Sequence, residues 1–225
     1  MTWIKVCGTT NLEDARVAVE CGADALGFIF APSPRRIAPE AARAIMRELP
    51  QRVEKVGVFV NEDPGRIVEI VARAGLTAVQ LHGGERVEDY TKQLFPGGKN
   101  EKGLRLYRAL PLQALLDAAE RTANSAVDAV LVDSGSPGQG GTGQRFDWER
   151  AAPLVASLRE KTKIIIAGGL TPETVAHAVA RFRPWGVDVV SGVEREPGKK
   201  DHHAVRAFIA AVKAAECEIA GQVKP

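Results

Sequence analysis

Short runs of apolar and β-branched residues alternate, through nearly the whole chain, with segments whose apolar positions recur every three or four residues. The strand-like runs are WIKV (3–6), DALGFIF (24–30), VGVFV (56–60), TAVQL (77–81), LRLYRAL (104–110), DAVLV (128–132), KIIIA (163–167) and VDVV (187–190). Several are continuously apolar rather than strictly alternating, as parallel strands covered by helices are. The segments between them carry helix start and stop signals. Asp63 can cap a helix whose first turn takes Pro64, whose apolar stripe is Ile67, Ile70, Val71 and Ala74, and which Gly75 ends. The same grammar predicts helices over Asn11 to Gly22 and over Thr171 to Phe182, with Thr171 as the cap and Pro172 following.

Eight β/α units predict an α/β fold, a single (β/α)8 barrel over residues 1–215. An open doubly wound sheet is the alternative, but it calls for a phosphate fingerprint after the first strand, and VCGTTN is not G-x-G-x-x-G. No linker or low-complexity tract divides the chain. The last helix, near 201–215, is expected to give out at Glu216 and to leave CEIAGQVKP as a frayed tail (216–225).

Composition narrows the function classes. With 225 residues, 45% of them hydrophobic, the chain can bury one sizeable core, and a net charge of +2 without any block of like charges argues against a nucleic-acid partner. No secretory signal is present, and no apolar run approaches the roughly 20 residues that span a bilayer, so a cytoplasmic protein with no membrane partner is expected. Three separated cysteines (Cys7, Cys21, Cys217) indicate neither a disulfide framework nor a zinc site.

In a (β/α)8 barrel the working groups follow the strands, at their C-terminal ends. There the sequence places Cys7, the loop APSPRR, Asn61, His82, Leu110 and Pro111, Asp133, Gly168 and Gly169, and Ser191 and Gly192. The small residues after strands seven and eight form a candidate phosphate site through backbone N–H groups, with Lys199 and Lys200 as possible added charge. Tight turns without a ligand are the alternative. After strand six, fourteen residues (134–147) with five glycines, Gly141 among them, read as a lid or anion clamp, or else as a surface excursion. Cys7 and Asp133 are the candidate base and acid. Free cysteines are mostly buried hydrophobes, but one that ends a strand before a helix N-terminus is expected to favour the thiolate. Cys21 and Cys217 keep the plain structural interpretation, and His82 is as easily a hydrogen-bonded, half-buried histidine as a ligand contact.

KVCGTTNLEDA, GADALGFIF with SPRRIAPE, VGVFVNE, AVQLHG, LVDS with GGTGQRFDW, AGGLTPE and VDVVSGVEREPGKKD occur in one order from about residue 3 to 215. Together they resemble the phosphoribosylanthranilate isomerase family of tryptophan biosynthesis. That resemblance implies an Amadori rearrangement of an anthranilate-bearing phosphosugar, without metal or organic cofactor. It implies Cys7 as general base, Asp133 as general acid, Arg36 on the anthranilate carboxylate and Asp188 on the sugar. Arg35, adjacent to Arg36, is the obvious confounder. Gly141, Gly168, Gly169, Ser191 and Gly192 are carried as phosphate-binding positions and His82 as a substrate contact, in a monomer or homodimer. One departure is Val190, where many relatives have a serine. Rivals are another phosphosugar barrel enzyme, whose paired aspartates or metal ligands the strand ends do not match, and a noncatalytic phosphate-binding barrel.

Overall fold

Strand β1 (Trp3–Cys7) shows how the interior is divided. Ile4 and Val6 join the large apolar cluster shared with the helices, whereas Trp3 joins a smaller cluster with Ala25, Val56, Ala78, Tyr107, Leu131 and Ile165. Side chains alternate between the faces of a strand, so Lys5 and Cys7 point the same way as Trp3, into the barrel. The coordinates are a computed structural model describing residues 1–98, 100, 103–112, 114–115, 127–133 and 148–222.

Among the described residues eight parallel strands close in sequence order: β1, β2 (Ala25–Ile29), β3 (Glu54–Phe59), β4 (Ala78–Leu81), β5 (Arg105–Pro111), β6 (Ala129–Asp133), β7 (Lys163–Ala167) and β8 (Gly186–Val189), with β8 pairing back to β1. Each lies within two residues of the bounds read from the sequence. The end of the barrel opposite the C-terminal mouth is plugged by aromatics, Trp3 stacking on Trp185 at 4.9 Å and meeting Tyr107 edge-on at 5.7 Å. This leaves the mouth for chemistry.

The expected caps set the helices behind the mouth. Asn11 accepts the Asp14 N–H at 2.9 Å and opens helix Leu12–Cys21, and Asp63 accepts that of Arg66 at 3.0 Å and opens helix Pro64–Ala74. Thr171 does not cap its helix. Thr171 to Thr174 fold into a turn in which the Thr174 hydroxyl accepts the Thr171 N–H at 2.9 Å, and the helix begins only at Val175. The last helix also departs from expectation: it runs from His202 to Gln222, well past Ala215. Ile219 packs against the core, and Glu216 accepts the Thr2 N–H and pairs with the N-terminal ammonium at 3.5 Å. Those contacts sustain the turns that an apolar stripe ending at Ala215 would not. A hairpin of β9 (Glu194–Glu196) and β10 (Lys199–Lys200), unforeseen in the sequence, follows β8.

A buried ion pair braces the ends of β3, β4 and β5. Glu85 accepts the N–H groups of Asn61 and Gly83, both at 2.7 Å, and pairs with Arg108 at 2.6 Å; Arg108 also donates to the Gly83 carbonyl at 2.9 Å. The Glu85 side chain has no exposed surface, so removing its cation strands a buried charge. Arg108→Leu should therefore lower the unfolding free energy by about 3 kcal/mol, measured by urea denaturation, far more than an exposed pair would.

Candidate active site

Alternation along the strands decides which candidates face the mouth. On β6 Ala129 and Leu131 fill the barrel, so Asp133 points inward; on β4 Ala78 and Gln80 do, so His82 follows them. Cys7 ends the inward series of β1. Three groups able to move protons thus converge from strands one, four and six.

Cys7 is 3% exposed, and its surroundings are not simply apolar. A Cβ added to Gly27 on β2 would lie 2.4 Å from the Cys7 sulfur and 3.0 Å from Lys5 Cε, so Gly27 leaves the space that both side chains occupy. The Lys5 side chain is fully buried; its ammonium bonds to Asp188 at 2.8 Å and lies near enough to Cys7 for the two charges to act on each other. Lys200 is as deeply buried and donates to the Cys7 carbonyl at 2.5 Å and the Val190 carbonyl at 3.2 Å. It also meets Glu194 at 3.0 Å, which Arg35 clamps in turn with contacts of 2.7 to 3.0 Å. The sequence led us to expect a thiol favoured as thiolate by a helix end. Burial instead pushes the Cys7 thiol up, and the charges of Lys5 and Lys200 offset that rise only in part. The helix begins at Leu12, beyond an intervening loop, so its dipole acts from a distance.

Asp133 and His82 meet at 3.3 Å, and Gln80 contacts the other ring nitrogen of His82 at 2.9 Å. With the Gln80 amide donating to Nδ1, the neutral ring carries its proton on Nε2, toward the Asp133 carboxylate. His82 is 32% exposed and held on both sides, the hydrogen-bonded histidine weighed as an alternative to a ligand contact. Asp188 sits one inward position deeper than Cys7, level with its register partner Lys5, so one of its oxygens is already engaged.

The two adjacent arginines separate cleanly. Arg35 is committed to Glu194, whereas Arg36 is exposed and lines an open cleft with Phe30, Ile37, Glu62 and Arg66. After β7, Gly168 and Gly169 have φ of 82° and 66°, a turn glycine adopts without a steric cost. After β8, Ser191–Val193 forms a single 3-10 turn, and a Cβ at Gly192 would lie 1.9 Å from the Leu170 carbonyl oxygen. The two loops are therefore in direct contact, with Ser191 and Gly169 exposed. Gly141 and the rest of 134–147 lie outside the described residues. Among the described residues no group of three or more His, Cys, Asp or Glu side chains could hold a metal ion, and no helix is long and apolar enough to cross a membrane.

Lys5, Gly27 and Gln80 were not singled out as site residues from the sequence, and Lys200, weighed there as added charge for the phosphate, is instead buried against Glu194 and the Cys7 and Val190 carbonyls. Parity offered a signal for two of them: Lys5 lies two residues before Cys7 and Gln80 two before His82, so each shares its partner's face. Lys200 offered none, because only the unforeseen hairpin turns it inward.

A closed barrel with a thiol, a carboxylate and an imidazole at its C-terminal mouth is of the acid–base class of barrel enzymes. The family described as N-(5'phosphoribosyl)anthranilate (PRA) isomerase matches residues 4–211. The chain is 47% identical over 210 residues to the N-(5'-phosphoribosyl)anthranilate isomerase of Desulforudis audaxviator, spanning 93% of this chain and 97% of that one. The crystal structure of the Thermotoga maritima isomerase superposes with a TM-score of 0.82 at 42% identity, covering 95% of this chain and 100% of the other. A phosphoribosyl anthranilate isomerase in complex with reduced 1-(o-carboxyphenylamino)-1-deoxyribulose 5-phosphate superposes with a TM-score of 0.79 at 38% identity, with the same coverage. The chain belongs to the phosphoribosylanthranilate isomerase family.

Two expectations follow from the geometry around Cys7. Gly27→Ala should displace the sulfur, and a shift of that kind should lower kcat by about 10²-fold while circular dichroism shows an intact fold. The second concerns pH. Burial raises the Asp14 and Glu194 carboxyls, but hydrogen bonds from the Lys200 N–H, Asn11 and His202 to Asp14, and from Arg35 and Lys200 to Glu194, outweigh it and hold both below their ordinary values. Their stabilisation is complete above the ordinary carboxyl range and is lost as pH falls through the lowered values. The urea midpoint should drop steeply below about pH 4, and Glu194→Gln, though less stable, should show a shallower drop.

Proposed function

We propose that this chain converts N-(5'-phosphoribosyl)anthranilate to 1-(2-carboxyphenylamino)-1-deoxyribulose 5-phosphate, with Cys7 as the base and Asp133 as the acid. The observation that carries the assignment of roles is the convergence of Cys7 from β1 and Asp133 from β6 on one mouth of a closed barrel, in a chain of this family. The ligand held by the relative at 38% identity is, by its name, a reduced form of this product.

Asp133, protonated, gives its proton to the furanose ring oxygen; the C1–O bond breaks and nitrogen forms a double bond to C1. The iminium acidifies the neighbouring C2–H, and the Cys7 thiolate takes that proton. The resulting enolamine tautomerises to the ketone, so the reaction is redox-neutral overall and consumes no cofactor. His82, at 3.3 Å from Asp133, holds the carboxyl in place and faces the sugar. Arg36 suits the anthranilate carboxylate because its guanidinium offers two parallel donors and, unlike Arg35, is not committed to Glu194. The phosphate goes to Gly168, Gly169, Ser191 and Gly192, with Gly141 from the loop after β6; these contacts run through the backbone, so Val190 in place of a serine does not abolish them. Asp188 contacts the sugar through the carboxylate oxygen that Lys5 leaves open.

The enzyme is taken to act in the cytoplasm on a small-molecule substrate, as a monomer or homodimer. The Thermotoga maritima relative is described as dimeric, and a structure of monomers generated from it is known.

Purified protein should consume phosphoribosylanthranilate without added metal, followed by loss of substrate fluorescence. Cys7→Ala and Asp133→Asn should each lower kcat by about 10²- to 10⁴-fold with little change in product affinity. Full turnover by Cys7→Ala would sink the mechanism, and ligand binding without any wild-type turnover would favour a noncatalytic barrel.

A further inference from the structure

Between the plugged floor of the barrel and its mouth lies a layer of buried polar side chains that the reaction scheme does not call on directly. Lys5 is the deepest cation in it, with no exposed side-chain surface. It shares with the Cys7 sulfur the space left by Gly27, and it is tethered by Asp188 at 2.8 Å, its register partner on β8. The end of the Lys5 side chain and the Cys7 sulfur crowd the same point, 3.0 and 2.4 Å from where a Gly27 Cβ would stand, so the fold places the ammonium near the thiol as well as against Asp188.

We propose that Lys5 is the positioning residue that stabilises the Cys7 thiolate, with Asp188 as the counter-ion that keeps its ammonium against the sulfur. The inference rests on Cys7 being the proton acceptor. When the thiol ionises, its proton leaves, and the new S⁻ gains a hydrogen bond from an ammonium already in place. When the thiolate later takes the substrate proton, Lys5 stays charged and reverts to Asp188. Four other charged groups face this centre: Lys200 on β10, which acts on Cys7 through its carbonyl, Glu194 and Arg35, which surround Lys200, and Glu54 on β3, whose carboxyl feels the charge of Lys5. They are left intact in the experiment below.

The thiol titration of the free enzyme tests the assignment. Thiolate absorbance near 240 nm is recorded against pH for each protein minus its Cys7→Ser counterpart, which cancels Cys21, Cys217 and the tyrosines. Asp188→Asn removes the competing anion and should move the Cys7 titration to lower pH. Lys5→Met/Asp188→Asn removes both charges and should move it at least about one pH unit above the Asp188→Asn value, a tenfold loss of thiolate at a given pH. Identical titrations of these two variants would overturn the proposal and leave Lys5 a purely structural partner of Asp188. The double variant carries no stranded buried charge. If Asp188→Asn does not fold, comparing the double variant with wild type still decides, because loss of the cation that shares the space at Gly27 with the sulfur should outweigh loss of its counter-ion; an unchanged or lowered titration then refutes the role. No turnover is measured, so this outcome is independent of whether Cys7→Ala loses activity.

Discussion

The ion pair between Lys5 and Asp188 is the constraint on which the rest of the interior depends. Two full charges are enclosed in a sealed barrel, where each alone would carry a desolvation penalty of several kcal/mol. They are tolerable only together, and they can be together only if β1 and β8 meet in the register that sets Lys5 beside Asp188. A slip of one residue would turn Lys5 toward the helices and leave Asp188 stranded inside, so the pair disfavours wrong closure of the barrel. The seam it fixes is the one that joins the first strand to the last. Cys7, two residues beyond Lys5, inherits its place at the mouth from that register.

The mouth is braced rather than merely lined. Glu85 and Arg108 tie the ends of β3, β4 and β5, and Gln80 and Asp133 hold the two nitrogens of His82. Across the barrel, Lys200 joins the Cys7 carbonyl to Val190 and Glu194, and Glu194 is held by Arg35 from the loop after β2. Each brace links residues from different β/α units. A change in one loop is therefore resisted by a second unit, which suits a site whose reacting groups come from strands far apart in sequence.

Much of this was legible before any coordinates. The eight strands, the caps at Asn11 and Asp63, and the inward placement of Cys7, His82 and Asp133 all follow from local patterns, because buried parallel strands and helix caps leave signals within a few residues. What escaped depends on contacts distant in sequence. Lys200, weighed as added charge for a phosphate, is buried instead, because a two-stranded excursion carries it to the Cys7 carbonyl. The tail past Ala215 is helical because Thr2 and the N-terminus meet Glu216. The turn at Thr171 to Thr174 defeated a capping signal because the Thr174 hydroxyl accepts the Thr171 N–H while the Thr174 N–H goes to the Thr171 carbonyl, closing a turn where the cap would stand. The expectation for Cys7 failed for a related reason: a helix end is visible in sequence, whereas burial is a property of the closed barrel.

That failure bears on how Cys7 would work as the base proposed above. Burial favours the neutral thiol, which is less open to oxidation than a thiolate standing ready in solvent. The same burial lowers the local dielectric, so each nearby cation acts on the sulfur more strongly than it would at the surface. Lys5 and Lys200 therefore offset part of the effect of burial without exposing the sulfur. In the proposed scheme, a substrate that develops positive charge at nitrogen adds a third cation in the same low-dielectric space, at the step when C2 must lose its proton. The resting enzyme and the reacting one then need different ionisation states of a single sulfur, and the buried charges narrow the gap between them.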